Sequence, residues 1–154
     1  MRRCLLLLTL LLLLAACGDD SGGVSTEEPG TTGLGTLPEG AVVFTPEDAA
    51  TDIYGDETTW TPGPADVEVA ETALRAHLDD NADLGLDDLD TYHRQYVGVG
   101  DEDVVSVNAL CEGADLDDWE DELILVNDGG TCFWQAQVDL TDGSIGAFTV
   151  NGVA

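Results

Sequence analysis

Between Asp79 and Asp90 the chain reads DDNADLGLDDLD, with side-chain oxygens at Asp79, Asn81 and Asp83 and a further carboxylate at Asp90. Alternating positions let a looped backbone aim three oxygens at one hard cation, and a later carboxylate completes the shell, which is calcium chemistry. Acid/base candidates are scarcer, because His77 and His93 are the only histidines. Neither has a nucleophile at a recognisable spacing. Ser106 lies in no nucleophile elbow, and no glycine-rich phosphate loop occurs. The thiols are Cys4, Cys17, Cys111 and Cys132. Cys111 and Cys132 have neither the C-x-x-C spacing nor the neighbouring histidine of a metal or redox pair, so they read as one disulfide. Trp119-Glu120-Asp121 offers paired carboxylates, but glycoside hydrolysis needs two that flank a cleft, and no pattern here implies one.

The 79–90 stretch resembles the calcium loop of the EF-hand, whose positions 1, 3, 5 and 12 fall on Asp79, Asn81, Asp83 and Asp90. Two residues depart from that pattern. Leu84 stands where the loop needs glycine for its sharp turn, and Asp90 is shorter than the usual closing glutamate. The segment that follows reads as a strand rather than an exiting helix. In so aspartate-rich a chain, an acidic helix-to-strand connector is the preferred reading.

The first seventeen residues are of a different kind. Arg2 and Arg3 precede a leucine-rich run, and small residues precede a cysteine in Leu14-Ala15-Ala16-Cys17. That is the layout of a secretory signal. The thirteen residues from Cys4 to Ala16 are too few to span a membrane, which takes about 20. The closing tetrad resembles the lipobox of bacterial lipoproteins. The resemblance implies cleavage after Ala16 and a lipid anchor on Cys17. Two acyl chains hold a domain stably without any protein span.

Charge is the second large signal. The 154 residues carry 32 acidic and only four basic side chains, Arg2, Arg3, Arg75 and Arg94, with a net charge of −28. Such a chain repels phosphates, which excludes nucleic acid, and it attracts cations and basic partners. The acids spread from Asp19 to Asp142, so solubility in a salty medium is preferred over one concentrated cation site.

The composition divides the chain into a signal peptide (1–16), a tether rich in Gly, Ser, Thr and acid (17–40) and one small domain (41–154). The tether holds too few apolar residues to offset its ordering entropy. Within the domain, Ala41-Val42-Val43-Phe44 suits a short strand, and Ile53, Tyr54 and Trp60 suit packing from irregular structure. Val67, Ala70, Leu74 and Leu78 make one stripe of a helix over 64–80, opened by Pro64. Strand patterns follow at 92–99, 104–111, 123–126, 132–140 and 145–150, and Asn127-Asp128-Gly129-Gly130 reads as a hairpin turn. The expected fold is α+β, one helix packed on an antiparallel meander of four to five strands. That layout resembles the cystatin-like fold in architecture; the inhibitory loop residues of that family are missing, so no protease inhibition is implied. Phe133, Gln135 and Gln137, with Tyr92, Arg94 and Tyr96 beside them, would form a recognition face unless residues 41–60 cover it. A covering layer is preferred.

The functional expectation is therefore a lipoprotein outside the cytoplasm, on the periplasmic or cell-surface side. It is held to the membrane through Cys17 and acts as a non-enzymatic binding or envelope-structural domain for a protein, glycan or cationic partner. The alternatives are a calcium-dependent module using the 79–90 loop and, behind it, a hydrolytic enzyme. No cofactor other than calcium is suggested.

Overall fold

A computed structural model describes residues 35–49, 58–100, 103–114 and 116–152. The signal peptide, Cys17 and most of the tether lie outside these residues, as do Ile53 and Tyr54. Among the described residues six strands form one mixed sheet with a single long helix. The strands are β1 (Ala41–Phe44), β2 (Thr58–Trp60), β3 (Tyr92–Val99), β4 (Val104–Cys111), β5 (Phe133–Asp139) and β6 (Ile145–Val150), and the helix is α1 (Pro64–Asp80). Order across the sheet is β1-β3-β4-β5-β6, with β2 sharing the β3 edge.

The helix forms where the stripe of apolar residues predicts it. Gly63 caps it, and the Asp66 carboxylate accepts the Gly63 N–H at 2.8 Å, which partners one end group and sets a negative charge against the positive end of the dipole. Val67, Ala70 and Leu74 are fully buried against Tyr92, Tyr96, Val105, Val107, Ala109, Trp134, Ala136 and Val138, and Leu78 packs at the margin. Burial of each large aliphatic side chain contributes roughly 1.5–3 kcal/mol. Asn81 ends the helix by donating from Nδ2 to the His77 carbonyl at 2.8 Å.

Strands β3 to β6 run as the expected antiparallel meander, in register from Tyr92↔Cys111 to Gly98↔Val105 and from Leu110↔Phe133 to Val104↔Asp139. Two features differ from expectation. The sheet is mixed, because β1 pairs with β3 in parallel, Ala41 opposite Arg94 and Phe44 opposite Val97. Between β1 and β3 the chain passes through β2, which pairs antiparallel with β3, and then α1, and this long connection lets β3 return beside β1 in the same direction.

The second difference is Leu123–Val126, which is not a strand although it reads as one. Side-chain amides occupy its backbone groups. Asn108 Nδ2 donates to the Ile124 carbonyl, the Ile124 N–H donates to Gln95 Oε1, and Asn151 Nδ2 donates to the Val126 carbonyl. A segment whose polar groups are already paired has no need of a sheet edge. Asn127-Asp128-Gly129-Gly130 is accordingly no hairpin. Gly129 sits at φ 95° with the Phe133 ring against it, Gly130 opens a short 3-10 turn through Cys132, and Asp128 bridges Gly152. Cys132 therefore lies just ahead of β5 rather than within a strand.

Residues before Ala41 also belong to the packed part: Leu37 lies against the core, and the Gly40 carbonyl accepts from the Arg94 N–H at 2.7 Å. Trp60 packs on the helix-side cluster across Gly98, where a Cβ would meet its ring at 2.7 Å. Only glycine fits that approach.

Candidate functional site

The most polar buried cluster lies between α1 and the sheet. Glu71 projects from the inner face of the helix and is 5% exposed, while Arg94 in β3 is fully buried. Arg94 Nε donates to Glu71 Oε1 at 2.9 Å, its Nη1 to the Leu89 and Tyr92 carbonyls, and its Nη2 to the Glu39 carbonyl at 2.6 Å. The Tyr96 hydroxyl donates to Glu71 Oε1 at 3.0 Å. Burial, and after it the Glu71 charge, pushes the Tyr96 phenol far above its ordinary range. Arg75, one helical turn beyond Glu71, donates to Glu71 Oε2 at 2.9 Å and grips Asp90 through both terminal nitrogens at 3.0 and 2.7 Å. The Arg75 hydrogen bonds hold the Asp90 carboxyl below its usual value. Thus the two arginines of the described residues both end on Glu71, Arg94 fully buried and Arg75 partly exposed. Breaking the buried pair of Glu71 and Arg94 would leave an uncompensated charge.

That network also reaches into the 79–90 stretch. Asp79 belongs to the last turn of α1, Asn81 caps it, Asp83 sits in a 3-10 turn over 82–84, and Asp90 is bound by Arg75. The ligand alternation needs an open loop, and the backbone here is helix, then 3-10 turn. Among the described residues no three His, Cys, Asp or Glu groups converge as metal ligands would.

The histidines part company. His77 packs on Phe148, with ring centroids 4.6 Å apart, and closes the apolar side of the helix end. His93 stacks on Trp119 at 4.1 Å between centroids, with the rings nearly parallel. This pair forms one wall of a recess of about 600 Å³, lined also by Tyr92 and by Glu39, Asp90, Glu112 and Glu120. The spacing of these acids along the chain does not reveal that they meet. The signal was Trp119, a large aromatic alone among carboxylates, which has reason to stand there only if it packs on something. No described residue hydrogen-bonds to the His93 ring, and the Tyr92 hydroxyl donates to the Thr131 carbonyl at 3.0 Å. Asp90 is already held by Arg75, and the carboxylates of Glu39, Glu112 and Glu120 beside aromatic rings would attract a cation through Coulomb attraction and ring-face contact.

The opposite sheet face is held differently. Gln95 Nε2 donates to the carbonyls of Trp119 and Glu122 at 2.7 and 2.6 Å, and Asn108 Nδ2 donates to Gln95 Oε1 at 2.9 Å. These amides fasten residues 116–126 across β3 and β4. The covering layer is thus this acidic loop; residues 41–60 contribute Phe44 and Ala49 beside Val97 and Val99 at one side. Tyr92, Arg94 and Tyr96 do not join Phe133, Gln135 and Gln137. Strand alternation sends them to the helix side, where they are buried. Beyond the loop, Gln137, Ala147 and Thr149 remain exposed, with no charge among them.

Cys111 and Cys132 lie at disulfide distance, with Cα atoms 4.8 Å apart and a sequence separation of 21. They tie the end of β4 to the start of β5 at the base of the covering loop. The molecule is therefore an α+β domain with one helix, a mixed and mostly antiparallel sheet, and a paired cysteine staple. No family model, curated protein or solved structure matches the chain. Among the described residues no helix is long and apolar enough to cross a membrane.

Proposed function

We propose that the protein is an exported lipoprotein, anchored through Cys17 to a membrane on its extracytoplasmic side, whose α+β domain binds a cationic partner and catalyses no reaction. The observation that carries this reading is the apolar run ending in Leu14-Ala15-Ala16-Cys17. The paired Cys111 and Cys132 support it, since disulfides persist in oxidising compartments. The binding role is supported by the charge of −28 and by the acidic recess around His93 and Trp119. The likeness to the cystatin-like layout is one of architecture and carries no part of the functional reading.

Fractionation of cells expressing Cys17→Ser tests the anchor. The natural protein should sediment with membranes and the variant should move to the soluble exported fraction. An unchanged distribution overturns the reading.

A further inference from the structure

The sheet ends at β6, and its outer edge is unusual for this chain. From Gly143 to Gly152 the sequence GSIGAFTVNG holds no charged residue, although the whole chain has 32 acids. Acids stand at both ends instead: Asp142 in the turn ahead of the strand, and Asp128, which bridges Gly152, behind it. The Asn151 N–H donates to the Phe133 carbonyl at 3.0 Å. Antiparallel pairs alternate, so Thr149 and Ala147 also turn their main-chain groups towards β5 while Phe148 and Val150 turn theirs outward. At the end of that side the Gly152 carbonyl accepts from the Gly130 N–H at 3.0 Å, but no described residue pairs with the outward main-chain groups of Phe148 and Val150. Gly146, Ala147 and Thr149 are exposed beside it. Proteins commonly blunt such edges with lysine, proline or inward charges; β6 has none of these, and its one irregularity is a bulge near Ile145.

We propose that β6 receives an extended segment of a partner protein by strand addition, the segment carrying a lysine or arginine near each end. Main-chain hydrogen bonds to Phe148 and Val150 supply the pairing, and the acids at either end select the charge. A six-residue strand spans about 20 Å, so cations roughly that far apart reach both acids. A second copy of this chain fits poorly. Antiparallel β6–β6 pairing would set the Asp142 end of one copy against the Asp128 end of the other, carboxylate facing carboxylate. The inference rests on the reading above that the domain binds a cationic partner.

The test uses the full-length chain in neutral detergent and a fluorescent octapeptide of alternating valine and threonine with a lysine at each end. A matched octapeptide ends in glutamate, and spermine serves as a cation without a strand. The lysine-ended peptide should slow hydrogen exchange across 145–151 and bind at least about tenfold tighter than its glutamate counterpart at low salt. Ala147→Lys, on an exposed side chain, should weaken that binding about fivefold or more, whereas Glu47→Lys near β1 should not, with melting temperatures confirming that both fold. Equal binding of the two peptides, protection confined to other segments, or self-association through 145–151 would overturn the proposal. Spermine binding without peptide protection of β6 sinks strand addition alone and leaves the cationic-partner reading standing. If neither spermine nor the lysine-ended peptide binds, both readings fall.

Discussion

The two faces of the sheet are closed by opposite means. On one, a helix lays down an apolar stripe, and the single polar intrusion is a charged cluster in which Glu71 is met by Arg94, Tyr96 and Arg75. On the other, an irregular acidic loop is drawn onto β3 and β4 by neutral amides, Gln95 and Asn108, which bond to its main chain. The difference shows how an extremely acidic chain divides its polar groups. The few cations are used where a buried carboxylate must be neutralised. Where the covering segment is itself acidic, uncharged side chains hold it by its backbone and leave its carboxylates in water. A face held by ions should fail sharply when one partner is lost; a face held by amides should loosen locally.

Breaking the ionic face should have the largest effect. Arg94→Met leaves Glu71 buried without its main partner and should lower unfolding stability by about 3–5 kcal/mol in denaturant titration. Glu71→Gln with Arg94→Met, which removes both charges, should recover much of that loss. If the double variant is as unstable as the single, the comparison between ionic and amide closure fails. Next comes the staple: Cys111→Ser with Cys132→Ser should cost on the order of 3 kcal/mol for a loop of this length.

The amide face should respond more gently. Asn108→Ala removes a donor to the Ile124 carbonyl and to Gln95, for about 1–3 kcal/mol. Hydrogen exchange should quicken in 116–126 while α1 keeps its protection. Equal loosening of both would mean that the faces are not separable.

Titration sharpens the contrast with smaller effects. Tyr96 has its folded value raised by burial and Glu71. Its contribution is therefore complete below about pH 10, the unfolded value, and declines as pH rises beyond it. Melting temperature above that pH should fall more steeply in the natural protein than in Tyr96→Phe. Asp90 has the opposite sign: Arg75 lowers its value, so its contribution is present above about pH 4 and is lost as pH falls further. Since its side chain is 70% exposed, Asp90→Asn should cost no more than about 1 kcal/mol. Melting at pH 3, 4 and 6 checks both sign and size.

Periodicity made the helix and the meander legible. The stripe of Val67, Ala70 and Leu74 and the alternation along β4 and β5 encode one buried face each, and burial is what periodicity reports. Leu123–Val126 misled for the same reason. Its apolar run describes packing on a sheet face, and apolar content cannot tell an edge-paired strand from a segment held by the side chains of Gln95, Asn108 and Asn151. The pairing of Cys111 with Cys132 followed from elimination, because no other role fitted their spacing. The network around Glu71 was hidden, since its partners lie 23 and 25 residues away and a helical glutamate reads as a solvated one. The recess around His93 was hidden too, because Glu39, Asp90, Glu112 and Glu120 meet only once the loop is folded over.

Intact mass spectrometry of the protein purified from cell membranes tests the central claim most directly. The predicted species starts at Cys17, lacks residues 1–16, carries a diacylglyceryl group on that residue, and is two hydrogens lighter than the dithiol, through Cys111 and Cys132. A full-length chain with unmodified, reduced cysteines would contradict export, anchoring and staple at once.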